Sequence, residues 1–158
     1  MESASASRSI RAILPISCEQ IQMMTLSQAE TEIYKKIGQF TGVEKANLRI
    51  ENQLLNNGQP FKAPINEPWC KVFVQYADSQ VVAIGNGPCI RDQGIISIQC
   101  FAPKNKGTLA MTALCDSWRS FLQSFGVSHL EIYKVHAPQS MSDDNFYGKI
   151  IRAEFRVN

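Results

Sequence analysis

The strongest pattern along the chain is a helical one between Thr108 and Phe125. Apolar residues recur there at i, i+3, i+4, i+7, i+11 and i+14, which places them on one face of a helix. These residues are Met111, Leu114, Cys115, Trp118, Leu122 and Phe125. We predict that this helix lies on a sheet, supplies much of the core and ends at Gly126.

A narrower helical pattern runs from Ser27 to Phe40. Ser27 and Glu30 have the spacing of a capping box, in which two side chains satisfy backbone donors at a helix start. Gly42 is a plausible end. The apolar face of this helix consists of Ile33, Ile37 and Phe40.

Four segments instead alternate polar and apolar residues with the period of two that strands have. They are Trp69 to Ala77, Gly94 to Phe101, Val127 to His136 and Ile150 to Val157. The order helix, strand, strand, helix, strand, strand predicts an α+β fold, with an antiparallel or mixed sheet and two main helices in a single domain. In its core we expect Trp118, Leu114 and Phe121 to pack against Ile96, Ile98, Phe155 and Val74.

Two stretches are rich in turn-forming residues, and we predict long loops at 52–68 and 78–93. Long ordered loops are usually functional. Residues 1–23 are rich in Ser and Ala near their start, and we predict a flexible arm that is dispensable for folding, with the domain spanning 24–158. Met23 or Met24 could be the natural start.

The composition narrows the class of protein. The net charge is +2, and the sixteen Lys and Arg form no run longer than two. Specific nucleic-acid binders usually concentrate basic residues and aromatics in a stripe. The sequence shows no such stripe and therefore argues against specific nucleic-acid binding. No apolar stretch approaches the roughly 20 residues of a membrane span.

Reactive residues are present, but their patterns favour structural roles. Residues 85–87 lack the third glycine of a dinucleotide fingerprint. His129 and His136 are seven residues apart on one predicted strand, which separates them. Cys100 and Cys115, like Cys70, lie in apolar runs and are expected to be inert buried thiols in a reducing cytoplasm. We therefore expect no catalytic residue, no metal and no cofactor.

The order of features after residue 60 resembles a known family. A Pro-rich stretch leads into the Trp69 strand, and a Gly-rich link leads into a strand that opens on Gly94. Residues 102–107, Ala-Pro-Lys-Asn-Lys-Gly, run directly into an amphipathic helix, and a strand, a polar loop and the strand 150–157 follow. This order resembles the tail-terminator-like proteins of siphovirus phages and prophages. The resemblance covers residues 24–158 and is one of order and spacing.

The resemblance implies a non-enzymatic protein of the virion, located at the head-proximal end of the tail and assembled in the cytoplasm of the bacterial host. Such proteins form a hexameric ring that caps the tail tube, stops its polymerisation and presents a surface for head attachment. The implied partners are other copies of the chain, the tail-tube protein and the head-completion or connector protein. DNA would pass through the lumen without specific binding, and no membrane would be involved.

Rings need two unlike patches on each subunit, and we predict that aromatic and charged residues form them. The predicted contact residues are Trp69, Phe73, Arg91, Asp92, Asp143, Asp144, Asn145, Phe146 and Tyr147. Trp69 and Phe73 could instead form a second hydrophobic layer under the first helix. Two other functions stay open: another neck or tail-completion protein, or a small cytosolic ligand-binding domain or enzyme with residues 78–93 at its pocket.

Overall fold

The computed structural model describes residues 24–55, 57–83, 89–127, 129–141 and 145–157. Within these ranges the chain forms one domain with two α-helices and a seven-stranded mixed sheet, which confirms the expected α+β fold. The helices are α1 (Leu26–Ile37) and α2 (Leu109–Gln123). The strands are β1 (Leu48–Ile50), β2 (Trp69–Ala83), β3 (Cys89–Ala102), β4 (Gly126–Val127), β5 (Leu130–Val135), β6 (Gln139–Ser140) and β7 (Tyr147–Val157).

The sheet has the strand order β1-β2-β3-β7-β5-β4, and β6 pairs with β7 outside this path. Only β1 and β2 pair in parallel, and all other neighbours are antiparallel. Val72, Ile98 and Ile151 face one another across the three central strands. The strict alternation expected for 150–157 is therefore that of a strand near the middle of the sheet, with its apolar side facing the core.

Both helices lie on the same face of the sheet. The predicted apolar face of α2 is buried, and so are Ala29, Ile33 and Ile37 of α1. Trp118 is fully buried and stacks on Phe40, with ring centroids 3.6 Å apart. One core cluster contains Trp118 and Leu114 together with Val74, Ile96, Ile98 and Phe155, and Phe121 is partly buried against it. The packing expected for α2 is thus confirmed.

The start and end of α1 differ from the prediction. Its capping box consists of Thr25 and Gln28, not of Ser27 and Glu30. The Thr25 hydroxyl accepts a hydrogen bond from the Gln28 backbone at 3.1 Å, and the Gln28 side chain accepts one from the Thr25 backbone at 2.8 Å. The helix ends at Ile37 with Gly38 as its C-cap, whose N–H bonds to the Tyr34 carbonyl at 3.0 Å, and not at Gly42.

The prediction of a long loop at 78–93 is wrong. Strand β2 continues to Ala83 and β3 begins at Cys89, so these segments pair as a hairpin. Two register shifts interrupt that pairing, between Ala77 and Gln80 and between Val81 and Ala83. Register shifts destroy the period of two that a strand prediction relies on. Residues 84–88, in the middle of this predicted loop, lie outside the described residues.

Other boundaries were also predicted incompletely. The strand expected at 127–136 is split into β4 and β5, which form a hairpin with each other. The polar stretch 138–148 contains the short strand β6 and the start of β7. A 3₁₀ turn (Lys45–Asn47) and strand β1 were not predicted, because three residues are too few to show a period. The segment 52–68 contains no helix or strand where it is described, as expected.

Gly94 of β3 is closely packed between β2 and β7. A Cβ atom there would come within 2.4 Å of the Phe155 ring and 2.6 Å of the Gln75 carbonyl oxygen. Because a backbone oxygen cannot move aside, we expect Gly94→Ala to lower the free energy of unfolding by about 1–3 kcal/mol. Urea unfolding followed by circular dichroism measures this change.

The matched control for this substitution is Gly126→Ala. A Cβ atom at Gly126 would meet no other atom within 4 Å. Its effect should stay within about 0.5 kcal/mol, as for surface substitutions in general. Equal effects of the two substitutions would contradict the close packing at Gly94.

Candidate functional site: the open face of the sheet

The face of the sheet opposite the two helices has no helix over it in the described residues, and we call it the open face. Alternation along the strands and the registers between them assign its side chains. They belong to Arg49, Trp69, Lys71, Phe73, Gln75, Ile95, Ser97, Gln99, Phe101, Ile150, Arg152, Glu154, Arg156, Glu131 and Lys134. The predicted contact residues Trp69 and Phe73 lie on this face, and its two ends differ in chemistry.

An aromatic cluster occupies the end where β2 starts and β3 finishes. Trp69 stacks on Phe101 with ring centroids 4.3 Å apart. Phe146 meets Trp69 edge-on at 5.6 Å, and Phe61 of the loop before β2 lies 5.2 Å from it. The structure therefore brings together two predicted contact residues, Trp69 and Phe146. Trp69 is only 8% exposed, so it organises this cluster and presents little surface of its own.

The alternative prediction was that Trp69 and Phe73 form a hydrophobic layer under the first helix. Trp69 does form a hydrophobic layer, but not under that helix. Helix α1 packs on the opposite face, where its residues belong to the core with Val72. Phe73 is half-buried on the open face, and the Lys71 ammonium lies 5.8 Å from the centre of its ring. Phe73 and Lys71 thus continue the surface from the aromatic cluster along β2.

The structure places Arg91 and Asp92 on opposite faces of the sheet. Both lie in β3, and consecutive side chains of a strand point to opposite faces. Asp92 is opposite Val157 of β7. Arg91 is close enough to Glu131 to contribute to the lowering of its pKa. Each of the two residues therefore belongs to a different side of the hairpin.

The predicted polar loop is divided in a similar way. Asp143 and Asp144 lie outside the described residues. Asn145 is exposed, and Phe146 joins the aromatic cluster. Tyr147 begins β7 and packs against the core on the helix side. Adjacent aromatics of this loop therefore stabilise opposite faces of the sheet.

A charged network at the β5–β7 end of the open face was not predicted. Arg156 donates two hydrogen bonds to the Glu131 carboxylate, at 2.9 and 3.3 Å, and its guanidinium lies 4.8 Å from the centre of the Tyr133 ring. Glu154 lies 2.8 Å from the His136 ring nitrogen and 3.9 Å from the Lys134 ammonium. The alternating charges of 152–156 were the visible signal, but their partners depend on β5–β7 pairing.

Hydrogen bonds from Arg156 hold the pKa of Glu131 below its ordinary value, and the charges of Arg156 and Arg91 act in the same direction. A folded pKa below the unfolded one means that the pair adds stability above the usual carboxyl range. That stability is lost as the pH falls through the folded pKa. We expect Arg156→Gln to raise the pKa of Glu131 towards its ordinary value, measured by NMR titration of the carboxyl carbon.

The control for this titration is Arg152→Gln, because Arg152 bonds to Gln139 and not to Glu131. It should leave the pKa of Glu131 unchanged. The assignment of Arg156 as the cause fails if the two variants shift the Glu131 pKa equally.

Three buried thiols lie in the core, as expected for Cys70, Cys100 and Cys115. The Cys70 and Cys100 sulfurs are 3.7 Å apart, and the Trp118 indole donates to the Cys70 sulfur at 3.3 Å. Hydrogen bonding to Cys115 and Cys70, together with burial, raises the pKa of Cys100. His136 lies across the sheet with Glu154, so these cysteines and that histidine do not form a catalytic pair.

Two further searches concern ligands and membranes. Among the described residues, no three His, Cys, Asp or Glu side chains are placed to hold a metal ion. None of the helices in those ranges combines the length and apolar character that crossing a bilayer requires. An apolar groove of about 520 Å³ lies near the start of α2. Its lining includes Pro68, Ala102, Pro103, Met111 and Leu114.

Comparison with known proteins supports the fold. No protein-family model matches the chain, and no curated protein matches it. A solved structure that is 12% identical in sequence superimposes with a TM-score of 0.60, covering 85% of this chain and 96% of that one. At this identity the likeness shows a shared fold and nothing about function.

Proposed function

We propose that this protein is a phage tail terminator, a subunit of a closed ring that caps the tail tube. The observation that carries the proposal is the open face, which no helix covers in the described residues and whose two ends are unlike. An aromatic cluster around Trp69 lies at one end and a charged network around Glu154 at the other. Head-to-tail rings join unlike patches in this manner.

The order of elements supports the same proposal. The resemblance rests on a leading helix, a tryptophan-led strand, a strand followed by an amphipathic helix, and a closing strand after a polar loop. Elements α1, β2, β3, α2 and β7 follow one another in that order. Many reactive side chains are also engaged in structural pairs, as the Glu131–Arg156 and Glu154–His136 contacts illustrate.

In the mechanism that follows, the ring replaces the binding surface at the tube end with a different one. A growing tube adds subunits because each new end copies the previous one. A capping ring binds the tube end with one side and exposes a different surface on the other, so no further tube subunit can bind. The exposed surface then receives the head connector. Contacts of this kind need complementary shape and charge, and no covalent chemistry.

Size and shape of the assembly test the proposal. We expect a species of about 106 kDa, six times the 17.7 kDa chain, by size-exclusion chromatography with light scattering. Negative-stain images should show rings with a central hole, at high concentration or on the ends of tubes formed by the tail-tube protein of the same phage.

The outcomes of this experiment separate the candidate functions. A chain that stays monomeric at every concentration and ignores tube ends would contradict the proposal. Rings that bind phage heads but not tube ends would favour another neck or completion protein. Monomers that gain thermal stability with a small molecule would favour a ligand-binding domain.

A further inference from the structure

The outer edge of β2 is long and largely uncovered. Strand β1 pairs with β2 only from Cys70 to Val72, where the Glu51 backbone donates to the Val72 carbonyl at 3.0 Å. In the described residues no strand pairs with β2 on this side beyond Val72. Because backbone direction alternates along a strand, Val74 and Tyr76 also direct their N–H and C=O groups outward.

This edge has few of the features that keep sheet edges from pairing. Natural edge strands are usually short, charged or interrupted by proline. The segment from Phe73 to Ala83 contains one charged residue, Asp78, and neither lysine nor proline.

The last part of β2 also has little lateral support. Pairing of β3 with β7 ends at Asp92, so residues 78–83 pair only with 89–91 in the described chain. A two-stranded ribbon of this kind is marginally stable by itself. A third strand along β2 would stabilise it.

The opposite edge of the same sheet supplies a complementary strand. Hairpin partner β4 covers only Leu130 and Glu131 of β5, which leaves 132–135 without an outer partner in the described residues. The directions alternate from β2 through β3 and β7 to β5, so β5 runs opposite to β2. A second copy placed beside β5 in the same orientation therefore brings its β2 antiparallel to β5.

Charge repulsion disfavours a two-fold pairing of the same edges. Asp78 is exposed and lies in the middle of the free segment of β2. Pairing two β2 edges around the middle of their free segments would bring the two Asp78 side chains together, and like charges opposite one another are destabilising. Lys134 and the bulge before it also keep β5 from pairing indiscriminately.

We propose that the free edge of β2 pairs with β5 of a second copy, so that the sheet continues from one subunit into the next. The inference rests on the proposed function, since a contact between unlike edges repeats around a ring. It assigns the subunit contact to backbone hydrogen bonds along the free parts of β2 and β5.

Engineered cysteines at Gln75 and Lys134 test this contact. Both side chains are exposed, and Gln75, Ile95, Glu154 and Lys134 form one row across the sheet. Full-length Gln75→Cys protein mixed with Lys134→Cys protein should form a covalent dimer under mild oxidation. Ala77→Cys, one row further along β2, covers a staggered register. The double variant should give a ladder of covalent oligomers, and wild-type protein sets the background.

A charge substitution provides a second measurement. Asp78→Lys should weaken self-association by at least about tenfold, because a lysine on an edge strand hinders its pairing with another strand. Asp116→Lys makes the same change on the exposed side of α2 and should leave association unchanged. Circular dichroism establishes that both variants are folded.

The crosslinks distinguish failure of this inference from failure of the proposed function. Rings that form without any crosslink between β2 and β5 overturn the inference alone. Crosslinking of Ala77→Cys protein with itself indicates β2–β2 pairing and also overturns it. Crosslinked open fibres without rings support the edge contact and overturn the terminator function. A monomer that never crosslinks overturns both.

Discussion

Replacing Trp118 with alanine is expected to lower the free energy of unfolding by about 3–5 kcal/mol, the usual cost of emptying a large buried aromatic site. Trp118 is 0% exposed, stacks on Phe40 and meets Phe121 edge-on at 5.9 Å. Its indole also donates to the Cys70 sulfur. The ring thus joins α2 to the segment that follows α1 and to the sheet, and all three contacts are lost together. Urea unfolding measures the loss.

Two controls divide this effect into its parts. Trp118→Phe keeps an aromatic ring but removes the hydrogen bond to Cys70, so we expect a smaller loss of about 1–3 kcal/mol. Leu109→Ala lies on the same helix at a position that is 84% exposed. It should change stability by less than about 0.5 kcal/mol. A loss below about 1 kcal/mol for Trp118→Ala would show that the buried face of α2 is assigned wrongly.

The fold class could be predicted because its main elements bury one face each. In α2 every third or fourth residue faces the core, and in β7 every second residue from Ile151 does so. Burial imposes those periods on the sequence, so the periods reveal both the element and its buried side. The two central strands β2 and β3 were visible for the same reason between 69 and 77 and between 94 and 101.

The ribbon of residues 78–83 and 89–91 could not be predicted in this way. It extends past the pairing of β3 with β7, so the rest of the sheet imposes no regular alternation on it. Its register shifts also change which residues face each side. Residues 85–88 have a composition typical of turns. That composition is equally compatible with a hairpin turn and with a long loop.

The candidate site was predicted in part, for a related reason. Trp69 and Phe146 are both predicted contact residues, and the structure brings their rings together. Their partner Phe101 was assigned only to a strand, since its proximity to Trp69 depends on the β2–β3 register. The Glu131–Arg156 pair joins residues 25 apart and depends on the β5–β7 register. Registers follow from tertiary packing, which no local pattern records.

The proposed function predicts that a phage lacking this protein makes tails of uncontrolled length that do not join heads. The reason is that an uncapped tube end keeps presenting the surface to which the next tube subunit binds. The capping ring would remove that surface and supply the one that the head connector needs. Electron microscopy of lysates measures both results, as the distribution of tail lengths and the fraction of tails attached to heads.

Complementation makes this experiment specific to the surfaces described here. Wild-type protein supplied from a plasmid should restore a narrow length distribution and joined particles. Asp116→Lys protein should do the same, whereas Asp78→Lys protein should restore neither if ring formation depends on the β2 edge. Tails of normal length, joined normally to heads in the absence of the protein, would rule out the terminator function. Short, uniform tails that still fail to join heads would place the protein in the neck instead, because length control would then be intact without it.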